Sequence, residues 1–135
     1  MKKLSVLFLG LFIKLASSNV FAGEKWVELE AFHKVMSTTY HPAEEGNFDP
    51  IKTRIGEMVE AAGKLNTNPV PAEYNKQDIL DAAKKLEADS KVLEEKIKAN
   101  ATNEEIFKDL NVLHDTFHTI VGLCNPKEEH KDEQK

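Results

Sequence analysis

Four runs of apolar residues at alternating spacings of three and four, each closed by proline, asparagine or glycine, constrain this chain more than any other feature. The third is the most regular: Ile79, Ala83, Leu86, Ser90, Leu93 and Ile97 share one face of a helix that ends near Asn100. In the second, Asp49 stands as N-cap before Pro50 in the first turn, and Ile51, Ile55, Met58, Ala62 and Leu65 follow at the same spacing. The first places Trp26, Leu29, His33, Met36 and Tyr40 in its seam. It is expected to stop at His41-Pro42, because a residue before proline is pushed out of helical geometry, leaving 43–48 as a loop. Asn66 to Tyr74, with Pro69 and Pro71, forms the longest connection, and Asn75 is placed to cap the third helix. Thr102-Asn103-Glu104-Glu105 has the form of a capping box. The last seam then reads Phe107, Leu110, His114, Phe117, Val121 and Cys124, and Gly122 or Asn125-Pro126 stops it.

A helix with one apolar stripe must bury it against other elements, and the sequence has no strand signal, phosphate loop or internal repeat. The expected fold is all-α: an up-down-up-down antiparallel four-helix bundle in which the first helix also lies beside the fourth.

The ends of the chain read differently. Lys2 and Lys3 precede an apolar run from Leu4 to Leu15, and Val20-Phe21-Ala22 supplies small residues for cleavage after Ala22. Residues 1–22 therefore read as a signal peptide and 23–125 as the bundle domain. The run is interrupted by Lys14 and is short for a bilayer, so no membrane association is expected after cleavage, and the location is periplasmic or secreted. Residues 126–135 are charged enough to read as a disordered tail. Losing the leader's three lysines makes the mature chain more acidic than the formal net charge of -5, which disfavours nucleic acid as a partner. Cys124 is the only cysteine. It could pair between two chains in a homodimer or simply fill space at a helix end.

His114 and His118 are four residues apart, on one helical face, where both rings can reach a single ion. Counting along antiparallel helices from their ends puts His33 level with Asp115, between those two histidines, and Met58 of the second helix within a turn of His33. Imidazoles reaching inward across neighbouring helices can bridge through one metal ion. His41, Glu44, Glu45 and Asp49 read as a separate, solvated polar cluster at the other end of the bundle, and His130 has no context. No nucleophile stands with a base and no paired carboxylates enter the seams, so catalysis is not expected.

An exported four-helix bundle of this size, with a histidine near the end of its last helix, resembles the periplasmic b-type cytochromes and the cytochromes c-prime over essentially the whole mature chain. The resemblance implies that His118 is the proximal ligand of haem iron. His114-Asp115-Thr116-Phe117-His118 lacks the cysteines of the Cys-x-x-Cys-His attachment motif, so only non-covalent haem b is implied. His33 or Met36 would be the second axial ligand, Gly56, Ala61, Ala62, Ala82 and Ala83 would leave room for the porphyrin, and the role would be electron transfer with a redox partner protein. The residues alone allow two other readings: direct copper or zinc binding by His33, His114, His118 and Met58, as a carrier, buffer or sensor, and a cofactor-free bundle that acts through a protein partner.

Overall fold

A computed structural model describes residues 24–125. The expected leader, the tail with His130 and the boundaries at both ends lie outside the described residues. Among the described residues, four helices, α1 (Val27–Glu44), α2 (Asp49–Thr67), α3 (Gln77–Lys98) and α4 (Asn103–Cys124), pack in an antiparallel up-down-up-down bundle, with a 3-10 turn over Ala72–Tyr74. Each helix lies against its sequence neighbours, and α4 returns to α1. No described helix is long and apolar enough to cross a membrane.

The core faces of α2 and α3 are those expected. Ile51, Ile55, Met58, Ala62 and Leu65 of α2 meet Ile79, Ala83, Leu86, Ser90 and Leu93 of α3, all buried, with Ile97 packed at the edge. Gly56 and Ala82 stay at the edge of the α2 and α3 faces, and Ala61, Ala62 and Ala83 are buried in the core, where small side chains let those two helices approach closely.

In α4 the buried stripe is Ile106, Leu110, Leu113, Phe117 and Ile120, one residue round from the expected seam. His114 is only half-buried, and Phe107, Val121 and Cys124 lie at the margin. In the α1 seam the expected Trp26, Met36 and Tyr40 are buried with Phe32 and Ala43, and Leu29 packs at the edge, but His33 is exposed. Both helices carry two adjacent apolar stripes. Burying the stripe without histidine removes no imidazole from water, whereas burying the other would leave ring nitrogens to be satisfied inside the core. The histidines therefore do not face inward.

Helix α1 also continues through His41-Pro42 to Glu44. The terminator is Gly46, at φ +87°, where a left-handed backbone favours glycine. Asn47 N–H donates to the Pro42 carbonyl at 2.8 Å and Gly46 N–H to that of Ala43 at 3.0 Å, a Schellman closure that satisfies the last carbonyls. Asn100, at φ 58°, ends α3 in the same way. Asp49 and Asn75 are not the caps expected of them. Asp49 is already helical, with its N–H bonded to Asn47 Oδ1 at 3.2 Å, and Lys76 occupies the cap position of α3.

The capping box of α4 forms as expected. Glu105 N–H donates to Thr102 Oγ1 at 3.2 Å and Thr102 N–H to Glu105 Oε2 at 2.9 Å. The backbone N–H of Thr102 holds the Glu105 carboxyl below its ordinary pKa, so this contact supports α4 at neutral pH and is lost as pH falls through the carboxylate range. Thr102→Ala is expected to lower stability by about 1 kcal/mol, seen as a lower urea midpoint with an unchanged slope.

Each seam carries at least one polar tie. Arg54 donates to Thr38 Oγ1 at 2.7 Å between α2 and α1, and Asn66 donates to Glu87 Oε2 at 2.7 Å between α2 and α3. Lys96 Nζ lies 2.6 Å from Asp109 Oδ2 between α3 and α4, off the line of a hydrogen bond. Between α1 and α4, Tyr40 O–H donates to Asn111 Oδ1 at 2.8 Å.

Candidate functional site

The seam between α1 and α4 is the loosest of the four. Its edge is built of rings rather than branched aliphatics, and rings on both helices hold the axes apart. Tyr40 lies parallel on His114, with centroids 4.0 Å apart and 3° between planes, and Phe107 stacks on Tyr40 at 6.0 Å. One level along, His33 stacks on Phe117 at 4.9 Å. Aromatic pairing of this kind adds to area burial and fixes ring orientation.

His114 Nε2 and His118 Nε2 stand 3.1 Å apart. In the absence of an ion, one nitrogen donates a proton to the other. Two imidazoles bound to a single ion at metal–nitrogen distances near 2.05 Å would have their nitrogens about 2.9 to 3.4 Å apart for bond angles between a right angle and a tetrahedral one. The observed separation falls within that bite. Burial, reinforced by the positive charge that His118 carries when protonated, lowers the pKa of His114 and keeps its ring neutral, as a ligand must be.

His33, Met36, Ser37 and His41 of α1 face this pair across a cleft of about 20 Å³. His41 was not expected here. Once α1 runs through Pro42, residues 33, 37 and 41 fall on successive turns of one face, and that spacing is the signal that could have found it. His41 Nδ1 lies 2.9 Å from Glu44 Oε2; when Nδ1 donates to the carboxylate, Nε2 keeps its lone pair.

The cleft brings together His33, His114, His118 and Met36. Met36 is almost wholly buried at its floor, while His33 and His118 are exposed at its rim. Met58 is fully buried on α2 and does not line the cleft. Cys124 instead lines a wider cleft of about 360 Å³ at the far end of the same seam, with Trp26, Tyr74, His33 and Phe117. Burial pushes the Cys124 thiol up, so the thiolate that would bind metal is scarce at neutral pH.

Among the described residues, no group of three or more His, Cys, Asp and Glu side chains is arranged to hold a metal ion. The closest pair of ring nitrogens in the cleft is that of His114 and His118, and any third donor to an ion there would have to move in from the rim. A porphyrin does not fit between His118 and Met36 in this packing, since ligands of that size occupy pockets of about 300 Å³ or more.

No family model, curated protein or solved structure matches this chain. The four-helix bundle is a fold broadly shared with cytochrome-type families.

Proposed function

We propose that this bundle binds a copper or zinc ion directly through His114 and His118, with His41 or His33 swinging in from α1, and serves as an exported carrier or buffer of that ion. The observation that supports this most is the 3.1 Å between the two Nε2 atoms, a distance suited to one shared ion, at the mouth of a cleft sized for an ion. Exposed imidazoles on two helices leave coordination positions open to solvent, which suits exchange with another ligand better than permanent storage. Export rests on the leader sequence alone.

Haem b with electron transfer is the alternative that the family resemblance carries. The wider cleft keeps it in view, since about 360 Å³ beside His33 lies within the range of organic-ligand pockets. Purifying the protein without a histidine tag, from a host supplied with haem, copper and zinc, separates the readings by elemental analysis and absorption spectrum. Near-stoichiometric copper or zinc without a Soret band is the expected result. A Soret band with stoichiometric iron would replace this reading with the cytochrome-like one. Absence of both, even after reconstitution, would turn the search to protein partners.

A further inference from the structure

We infer that Tyr40 is a positioning residue for the metal pair, holding the His114 ring in the orientation that aims its Nε2 at His118; this rests on the metal reading above. Three contacts place it. Its ring covers the face of His114 at 4.0 Å and 3°, closer and more nearly parallel than the His33–Phe117 stack. Its hydroxyl is tied at 2.8 Å to Asn111, one turn before His114 on α4. Phe107 packs on the phenol at 6.0 Å, so Tyr40 is steadied from α4 by two residues besides the ring it covers.

The physical effect has two parts. An imidazole on a helix edge samples several rotamers, and freezing it on an ion costs the entropy of those rotamers; a parallel ring anchored at both ends removes that freedom before the ion arrives. A metal-bound imidazole is also drained of electron density, and the electron-rich face of a phenol attracts it more strongly than it attracts the free ring. Both parts favour the bound state, and both belong to the ring rather than the hydroxyl, which acts only through Asn111. His118 is exposed, and Phe117 meets its ring edge-on with centroids 5.7 Å apart, so the order of the pair comes from the His114 side.

The test uses the untagged full-length protein. Zn(II) affinity is measured by competition with a chelator, and the His114 ring protons are followed by NMR without metal. Tyr40→Leu is expected to weaken zinc about 10- to 100-fold, the usual cost of removing a group that orients a ligand, and Tyr40→Phe to stay within about threefold of wild type. Asn111→Ala, which breaks the same hydrogen bond as Tyr40→Phe and leaves the ring in place, should likewise stay within about threefold of wild type. In the metal-free protein, the upfield ring-current shift of the His114 protons should survive in Tyr40→Phe and vanish in Tyr40→Leu. Should Tyr40→Leu fail to fold, Tyr40→Met, which keeps bulk without a ring, takes its place in both measurements. Wild-type zinc affinity in a folded Tyr40→Leu, or a His114 ring with no ring-current shift, overturns the role of Tyr40 and leaves metal binding standing. Absence of zinc binding by the wild type, with the shift present, overturns the metal reading and the positioning role with it.

Discussion

His118→Ala is expected to weaken copper or zinc binding by at least about 100-fold, more than loss of a residue behind a ligand costs and equivalent to about 2.7 kcal/mol of binding free energy. The reason is the chelate. Two nitrogens fixed 3.1 Å apart bind an ion together, and removing either leaves a single imidazole on a helix surface. His114→Ala should cost as much under direct metal binding and much less if His118 holds haem. Chelator competition on the two variants, with haem titration beside it, distinguishes the cases. Both variants binding metal like the wild type would mean that the site lies elsewhere.

Leu113→Ala and His114→Ala make the second pair. Leu113 is fully buried in the bundle core, so truncating it removes apolar contacts and opens a cavity, with an expected loss of about 2 to 5 kcal/mol. That is a large share of the roughly 5 to 15 kcal/mol by which a domain is stable, and it should lower the melting temperature by more than about 10 °C. His114, half-buried at the edge, should cost less than about 1.5 kcal/mol when replaced, because its ring can be traded for water. The alternative stripe on α4, with His114 in the core, demands the reverse order, and urea midpoints of the two proteins decide between them.

The number of helices and the inner faces of α2 and α3 were legible in the sequence because each has one apolar stripe and polar residues elsewhere. Residues 106–121 of α4 offer two stripes of nearly equal apolar content, and periodicity does not choose between Ile106-Leu113-Ile120 and Phe107-His114-Val121. Desolvation of the imidazole does. Reading the first stretch to its proline concealed Gly46 as the true stop, and with it the turn that carries His41 into the cleft. Counting along the helices placed His33 level with Asp115, between His114 and His118, whereas it lies beside Phe117 with Tyr40 beside His114, a displacement that loop lengths alone do not fix. Met58 lies outside the cleft for a plainer reason. A side chain at the right height on a helix can still point into the core, and the apolar thioether of Met58 is buried there at no cost.

The α1–α4 seam is also the only one that no hairpin enforces. The other three neighbours are joined by connections within the chain, whereas Tyr40 and Asn111 meet across a sequence separation of 71 residues. Closing such a distance carries the largest chain-entropy cost in the bundle, and the seam it makes is also the loosest. An ion shared between His41 and the His114–His118 pair would act there as a clasp. Loading it would be felt less in the α2–α3 core than in how often the first helix lifts away, and the protein's state of charge with metal would be written in the lifetime of that one closure.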